Sequence, residues 1–128
     1  MSMIFGIGMD CVEIARMDKS LARPRFIKRV FSTEESALFA TKGKGAAASA
    51  AACFAAKEAF LKACGRGLGT FSLPEIAALR RSSGAPYFVF SGAAAEFCSR
   101  NSLSCHLSLS HEGGLAFAYV VLEKTEER

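Results

Sequence analysis

Apolar residues in the first thirty positions change their spacing along the chain, and each change predicts a different element. Residues 3–9 form an apolar run broken only by glycine, which predicts a buried strand ending at Asp10. Residues 11–19 carry apolar side chains at helical spacing and predict a first helix. Pro24 stands where the first turn of a second short helix is expected, because proline is favoured at helix N-termini.

The longest predicted helix lies near the middle of the chain. Residues 32–35 read Ser-Thr-Glu-Glu, the spacing of a capping box, so a third helix should begin there and run to about Thr41. After a flexible connector at residues 42–45, the long helix should extend over about residues 46–63, because alanine has the highest helix propensity. Gly65 stands where a C-terminal cap is expected.

Strands dominate the second half of the chain. We expect two strands of a hairpin, a helix and two further strands joined by a turn at 111–114, in the order 76–81, 87–90, 92–100, 106–110 and 115–122. No repeat or linker interrupts these elements, so residues 1–128 are expected to form one domain. One strand, then helices, then mostly strands favours an α+β fold with an antiparallel sheet wrapped around the long central helix.

The composition favours a compact protein in a reducing compartment. Of 128 residues, 51% are apolar and 22% are charged, which argues against disorder. Residues 45–56 are too short for a bilayer span, and the N-terminus lacks the features of a signal peptide, so we expect a soluble, cytoplasmic protein. The five cysteines are odd in number and scattered, which argues against disulfides or a zinc ribbon and predicts small buried residues.

Positive charge is concentrated in one short part of the chain, although the formal net charge is only +4. This basic segment contains six basic residues against one acid, Asp18: Arg16, Lys19, Arg23, Arg25, Lys28 and Arg29. Such a segment suits an acidic protein, a nucleic acid or an anionic membrane, and the alternative is an ordinary solvated helix face. Phe26 is its only aromatic residue, which argues against nucleic acid.

Asp10 follows Gly6 and Gly8 at the predicted end of the first strand. A carboxylate there is rigidly held, and glycines beside it would let a ligand approach the backbone. Magnesium takes one or two carboxylates together with substrate phosphates, so Asp10 is a candidate metal ligand. The alternative is that Asp10 only caps the following helix. Glu13, one turn further on, is expected to be a surface or structural residue.

Glu58 and Lys62 lie four residues apart on one face of the long helix, which is also the spacing of an ordinary ion pair. Because the rest of that helix is largely apolar, we expect these charges to face a cleft or a partner instead of open water. There the carboxylate would hold a metal and the ammonium a phosphate oxygen. The glycine-rich loop at residues 65–69 adds flexible backbone donors, although it lacks the spacing of a P-loop.

His111 ends an alternating strand, where its side chain can point into a cleft. When neutral it is a candidate hydrogen-bonding group or base, and when charged it is a candidate phosphate partner. The alternative is a purely structural histidine. His106 is the only other histidine and the chain has no nucleophile elbow, so no Ser–His–acid triad is predicted.

Taken together, these clusters resemble the holo-acyl-carrier-protein synthase family of phosphopantetheinyl transferases. The resemblance covers essentially the whole chain; residues 54–63 carry its most specific motif, and residues 6–14, 32–35 and 108–111 support it. It implies the α+β phosphopantetheinyl transferase fold. It also implies transfer of 4′-phosphopantetheine from coenzyme A to a serine of apo-acyl carrier protein, with release of adenosine 3′,5′-bisphosphate (3′,5′-ADP), in fatty acid biosynthesis.

The resemblance also implies a role for each candidate residue. Asp10 and Glu58 would coordinate Mg²⁺ together with the pyrophosphate of coenzyme A, and Lys62 would bind a phosphate oxygen and stabilise the leaving group. The carrier serine would attack the β-phosphate, with either Glu58 or a metal-bound water as the proton acceptor. Further contacts to coenzyme A would come from Lys44, Gly65, Gly67 and His111.

The implied partner explains the basic segment, since carrier proteins are acidic. The residues expected to dock the carrier protein are Arg16, Arg23, Arg25 and Arg29. Short members of the family form trimers with sites between neighbouring chains, which suits a chain too small to enclose coenzyme A alone. We therefore expect a homotrimer that binds neither nucleic acid nor membranes.

Two residues depart from the family pattern. Cys53 stands where the family usually has an arginine, so Lys42, Lys44 or Arg66 would have to replace any contact of that arginine with the 3′-phosphate. Arg66 itself stands where a small residue is common. Two alternatives stay open: a degenerate member that binds coenzyme A weakly without turnover, and a non-catalytic module whose basic segment binds an acidic protein or nucleic acid in a salt-sensitive way.

Overall fold

The elements of the fold follow the predicted order along the chain. A computed structural model describes residues 1–67 and 69–125. The first half of the chain contains β1 Ser2–Glu13, α1 Ile14–Ser20, α2 Pro24–Val30, α3 Thr33–Ala40 and α4 Ala46–Cys64. The second half contains β2 Ile76–Arg80, β3 Pro86–Phe90, α5 Gly92–Arg100, β4 Leu103–Glu112 and β5 Leu115–Thr125. Short 3₁₀ turns at Gly43–Gly45 and Leu73–Glu75 precede α4 and β2.

Two helix ends show how the local sequence determines the elements. Ser32 Oγ accepts the N–H of Glu35 at 3.1 Å, and Glu35 Oε1 accepts the N–H of Ser32 at 2.9 Å, which completes the predicted capping box of α3. Beyond α4, Gly65 takes the left-handed conformation with φ 73°, and its N–H closes the last turn on the carbonyls of Leu61 and Lys62. Both predicted helix ends are confirmed.

The strands form two antiparallel sheets beside the long helix. One is three-stranded in the order β1-β5-β4, and the other is the β2–β3 hairpin. α4 packs against β1 and β5 and also contacts β2. Most of its side chains between Ala50 and Ala63 are buried, and many are alanine, so the strands lie close to the helix axis. The predicted α+β fold with antiparallel strands around a long central helix is confirmed, although the strands form two sheets instead of one.

Aromatic rings fill the space between α4 and the hairpin. Phe60 is fully buried, and its ring centroid lies 4.8 Å from that of Phe90 and 5.6 Å from that of Phe88. The ring centroid of Phe71 lies 6.2 Å from that of Phe60 and 5.6 Å from that of Phe97 in α5. These contacts join α4, α5, the hairpin and the segment after the glycine-rich loop into one core.

Some predicted boundaries are wrong. β1 passes through Asp10 and ends at Glu13, because its backbone continues to pair with β5. The first helix therefore begins at Ile14 instead of residue 11. His111 belongs to β4, and the turn that follows is confined to residues 113–114.

Two expectations from composition can be compared with the fold. All five cysteines are unpaired, and Cys53 and Cys98 are buried as expected. Cys11 is exposed, so the expectation of burial is wrong for that residue, which lies on the outer face of β1. Among the helices in residues 1–67 and 69–125, none combines the length and hydrophobicity needed to cross a bilayer.

Candidate active site

Two glycines in β1 bring that strand directly against α4. A Cβ added to Gly6 would overlap the carbonyl oxygen of Ala63, and one added to Gly8 would overlap that of Ala59. Only glycine therefore permits this approach. The expectation that these glycines admit a ligand is wrong, because the helix occupies the space beside them. Since side chains alternate along a strand, Asp10 shares this face and points toward α4.

Lys62 of α4 reaches Asp10 across this contact. Its Nζ donates to Asp10 Oδ1 at 3.1 Å and to the Met9 carbonyl oxygen at 2.9 Å. The side chain of Asp10 is 19% exposed and that of Lys62 is 56% exposed, so the pair lies at the mouth of a cleft and not in the core. A lysine carries three N–H donors, and these contacts use two of them.

Glu58 completes a cluster of two carboxylates and one ammonium. Partial burial raises the pKa of the Glu58 carboxyl, the Asp10 carboxylate raises it further, and Lys62 lowers it. The three charged groups therefore act on one another. Asp10 and Glu58 offer a two-carboxylate donor set, which is what Mg²⁺ uses together with substrate phosphates. In the part of the chain that the structure describes, no group of three or more His, Cys, Asp and Glu side chains that could hold a metal is found.

This geometry decides between the alternatives that the sequence leaves open. Asp10 does not cap α1, whose N-cap residue is Glu13. Among the described residues, Lys62 pairs with Asp10 and not with Glu58, so the ordinary helix ion pair is not formed. Glu13 is exposed, and its Oε1 lies 4.0 Å from Nη1 of Arg16. The prediction of a surface or structural residue is therefore confirmed as a surface position.

A groove of about 560 Å³ extends from Asp10 along the basic segment. Its lining includes Arg16, Arg23, Phe26 and Phe54. An adjoining groove shares two of these residues, Arg23 and Phe26, and adds two further arginines, Arg25 and Arg29. The four arginines predicted to dock a partner therefore line two grooves that share Arg23 and Phe26, and Asp10 lines one of these grooves.

The residues predicted to bind coenzyme A lie at both ends of α4. Gly65 and Gly67 follow the helix just beyond Lys62, while Leu68 of the same loop lies outside the described residues. Lys44 precedes the other end of this helix of 19 residues, which is about 28 Å long. A single chain therefore does not bring Lys44 to the glycine-rich loop.

His111 is also separate from the cluster within one chain. It is exposed near the end of β4, opposite Ala116 of β5, and β5 lies between β4 and β1. Because neighbouring strands are about 4.8 Å apart, the backbone of His111 lies roughly 10 Å or more from β1. Its predicted contact with coenzyme A stays a prediction.

Cys53, the departure from the family pattern, faces the core. Its side chain is 4% exposed, and Sγ donates to the carbonyl oxygen of Ala78 in β2 at 3.4 Å. Burial, with a further contribution from Glu35, raises the pKa of this thiol to about 12. The Cys53 side chain faces β2 and does not line the groove at Asp10, and the replacement of the family arginine by Lys42, Lys44 or Arg66 stays a prediction.

A buried ion pair behind the cluster was not predicted. Lys57 and Glu35 are both fully buried, and Lys57 Nζ lies 2.7 Å from Glu35 Oε1. Burial lowers the pKa of Lys57, and Glu35 opposes that effect. The spacing of residues along α4 could have predicted the burial of Lys57. Lys57 lies four residues after Cys53 and three before Phe60, so all three residues share the buried side of the helix.

Comparison with known proteins agrees with the fold and the site. Residues 6–120 match the family model described as the 4′-phosphopantetheinyl transferase superfamily. The chain therefore belongs to this superfamily. Within it, the chain is similar to proteins named holo-[acyl-carrier-protein] synthase, and the one from Treponema denticola is 41% identical over 122 residues, which cover 94% of this chain and 99% of that relative.

Solved structures show the same likeness. The holo-(acyl-carrier-protein) synthase of Bacillus anthracis, in complex with CoA (3′,5′-ADP), is 34% identical with a TM-score of 0.81, covering 96% of this chain and 99% of that one. The holo-[acyl-carrier-protein] synthase of Neisseria meningitidis is 35% identical with a TM-score of 0.86, covering 95% and 100%. The predicted family, fold and class of enzyme are confirmed.

Proposed function

We propose that the chain transfers 4′-phosphopantetheine from coenzyme A to a serine of apo-acyl carrier protein, giving holo-acyl carrier protein and 3′,5′-ADP. The observation that carries the proposal is the cluster of Asp10, Glu58 and Lys62, whose Asp10 also lines a groove together with Arg16 and Arg23. Relatives with this fold bear the name of that activity. Fatty acid biosynthesis is the proposed pathway for the product.

Asp10 and Glu58 are the proposed ligands of Mg²⁺. The raised pKa of Glu58 reflects in part the like charge of Asp10, which a cation between them would neutralise. When bound, Mg²⁺ supplies positive charge for the pyrophosphate and for the charge that develops on the leaving group. Lys62 adds an ammonium at the same place, and its third N–H is proposed to bind a phosphate oxygen.

The proposed transfer exchanges one bond at phosphorus for another. The serine oxygen of the carrier protein attacks the β-phosphate, and the bond to the bridging oxygen of 3′,5′-ADP breaks. Glu58 is one proposed acceptor for the serine proton; its raised pKa belongs to the metal-free protein, and a bound cation would lower it. A water molecule is the alternative acceptor. Lys62 stabilises the charge on the departing group.

The four arginines of the basic segment, without its two lysines, are the proposed docking surface for the acidic carrier protein. Arg16 and Arg23 line the same groove as Asp10, and Arg25 and Arg29 line the adjoining one. A carrier protein bound along these arginines would have its serine directed to the cluster. Complementary charge of this kind speeds association and fixes the orientation of the partner.

Reversing charge on this surface is expected to weaken carrier-protein binding without affecting coenzyme A. In Arg25→Glu/Arg29→Glu, the KM for the carrier protein should rise at least about tenfold at low salt, because an acidic partner now meets like charge. The difference from the parent should shrink as salt is added. Steady-state kinetics with each substrate varied in turn would measure both values, and the KM for coenzyme A should not change.

Lys28→Glu is the matched control for this change. Lys28 lies on the same helix, α2, but lines a different groove beside Ser32 and Pro74. Each substitution changes the charge by the same amount, so Lys28→Glu should leave the KM for the carrier protein nearly unchanged. An equal rise per substitution in both variants would mean that only net charge matters, and the docking surface would then be wrongly assigned.

We also propose a homotrimer with sites between neighbouring chains. The face of the three-stranded sheet that points away from α4 exposes large apolar side chains, namely Ile4 (62%), Ile7 (57%), Met9 (50%) and Tyr119 (47%). Clusters of this kind mark association surfaces. Because Lys44 and His111 lie apart from Asp10 within one chain, we propose that a neighbouring copy supplies them to the site.

The packing of the core supports the proposed domain organisation, and the unpaired cysteines support the proposed location. Residues 1–128 are proposed to act as one catalytic domain, since α4 packs against strands of both sheets. The cytoplasm is the proposed location, and the five unpaired cysteines support it because reducing compartments keep thiols free.

A mass-shift assay tests the proposed reaction. Apo carrier protein incubated with the enzyme, coenzyme A and Mg²⁺ is expected to gain the mass of one phosphopantetheine, measured by intact-protein mass spectrometry, with release of 3′,5′-ADP. Matched reactions with a chelator, or without coenzyme A, should give no product. Carrier protein of unchanged mass in the complete reaction would contradict the proposal.

The alternatives predict different observations. A non-catalytic module, which the basic segment alone favours, would bind an acidic partner in a salt-sensitive way without metal dependence or product. A degenerate transferase would bind coenzyme A weakly without turnover, and calorimetry with and without Mg²⁺ separates it from an active one. Cys53 is buried against β2, and calorimetry with coenzyme A tests whether the absence of the family arginine weakens binding.

A further inference from the structure

Lys57 is a fully buried charged residue that the proposed chemistry does not use. Its Nζ donates to Glu35 Oε1 at 2.7 Å, to the Ile76 carbonyl oxygen at 2.7 Å and to the Leu73 carbonyl oxygen at 3.0 Å. It also lies 5.7 Å from the centre of the Phe31 ring. All three N–H donors of the ammonium are therefore occupied inside the protein.

Glu35 connects this lysine to two further elements. Its Oε1 also accepts the N–H of Ser32 at the start of α3, and its Oε2 accepts the N–H of Ala78 in β2, each at 2.9 Å. Both carboxylate oxygens are thus used by partners from three different elements: α3, α4 and β2.

Stability alone does not explain a pair of this kind. Removing two charges from water is costly, and buried ion pairs are often no more stabilising than apolar residues of similar volume. What the pair does provide is fixed geometry. Five hydrogen bonds of 2.7–3.0 Å hold α3, α4, β2 and the 3₁₀ turn before β2 at defined positions.

Two of these fixed points lie a few residues beyond the glycine-rich loop. The chain leaves α4 at Gly65, which is capped onto the last turn of the helix. It re-enters the core at Phe71, and the carbonyl oxygens of Leu73 and Ile76 then bind Lys57. The connection that contains the loop is therefore attached to α4 at both ends, first by the helix cap and then by Lys57.

Lys57 also immediately precedes Glu58 in α4. Successive residues of an α-helix point about 100° apart around the axis. Holding Lys57 on the core side of the helix therefore fixes the direction in which Glu58 leaves it, toward Asp10.

We propose that the buried Lys57–Glu35 pair positions the active site, by setting the rotation of α4 and the return of the glycine-rich loop so that Glu58 and the loop face the same coenzyme A molecule. Lys57 and Glu35 are positioning residues that touch no substrate. The proposal rests on the proposed function, since it concerns the same coenzyme A site.

A neutral replacement of the pair separates positioning from stability. In Glu35→Gln/Lys57→Met neither charge remains and both side chains keep their approximate size. The single oxygen of glutamine can accept either the N–H of Ser32 or that of Ala78, and the carbonyl oxygens of Leu73 and Ile76 lose their Lys57 donor. The double variant should therefore be less stable than the parent, and its kinetics are measured at a temperature where it is still folded. Its KM for coenzyme A should rise at least about tenfold and its kcat should fall, because partners that orient functional groups commonly contribute factors of this size.

The outcomes distinguish this proposal from the proposed function. A folded double variant with parental KM and kcat would overturn it, whatever its melting temperature. Glu35→Asp, which keeps both charges but shortens the side chain, serves as the second test and should raise the KM for coenzyme A in a folded protein; a parental KM and kcat in that variant would overturn the proposal as well. Calorimetry of coenzyme A binding applies even if the parent makes no product, since weaker binding by both variants would still support positioning.

Discussion

Gly8→Ala is expected to destabilise the protein by about 3 kcal/mol or more and to reduce transfer at least about 100-fold. The added Cβ would overlap the Ala59 carbonyl oxygen and lie 2.8 Å from the backbone nitrogen of Ala63. These are backbone atoms of α4, so they cannot move aside as a flexible side chain would. Strand and helix must separate, and Asp10, two residues along the same face, would move away from Glu58.

Urea denaturation and the mass-shift assay would measure the two effects separately. Activity should be compared at a temperature where the variant is still folded, so that a misplaced Asp10 is distinguished from an unfolded protein. Gly45→Ala is the matched control, because its Cβ would meet only the Lys42 Cβ at 3.9 Å and its φ of −84° suits any residue. Parental stability and activity in Gly8→Ala would mean that β1 does not need this close approach.

Features fixed by neighbours in the sequence were predictable. The capping box between Ser32 and Glu35 and the cap at Gly65 involve groups only a few residues apart, so the spacing of residue types was sufficient. The end of β1 was not predictable in this way. Its continuation past Asp10 depends on pairing with β5, which lies at the other end of the chain.

Pairings across the fold needed the structure. Within the helix, Glu58 is the natural partner for Lys62, and the choice of Asp10 depends on how closely β1 approaches α4. β1 can approach α4 this closely because Gly6 and Gly8 have no side chains. The pattern of apolar positions in the sequence does not predict the distance between the strand and the helix.

The candidate site also contains residues that the sequence predicted correctly to lie together and residues that it did not. The motif of residues 6–14 identified Asp10, the central motif identified Glu58 and Lys62, and one chain brings these three together. Lys44 and His111 are not brought to them, and their roles depend on a neighbouring chain that no single-chain pattern describes. The sequence did not predict the buried Lys57–Glu35 pair, because a lysine in a helix is ordinarily expected at the surface.

Glu58→Gln is expected to reduce product formation at least about 100-fold while leaving the fold intact. Glutamine keeps the size of the side chain and removes only its charge, whether that charge is needed to hold a cation or to accept the serine proton. Because burial, and then Asp10, raise the pKa of Glu58, its ionised form is disfavoured in the folded protein. Neutralising it should therefore leave the unfolding temperature unchanged or slightly higher.

The raised pKa of Glu58 also gives the pH dependence a defined sign. Under the proposed roles ionised Glu58 holds Mg²⁺, and its pKa in the metal-free protein lies above the usual value of 4.5, so protons should compete with the cation at a higher pH than they would at an ordinary glutamate. The Mg²⁺ concentration that gives half-maximal activity should therefore rise on acidification. Glu96→Gln, on the exposed side of α5, is the matched control and should keep parental activity. If Glu58→Gln were equally active, neither the metal nor the proton could depend on this carboxylate, and Asp10 and Lys62 alone would have to account for the reaction.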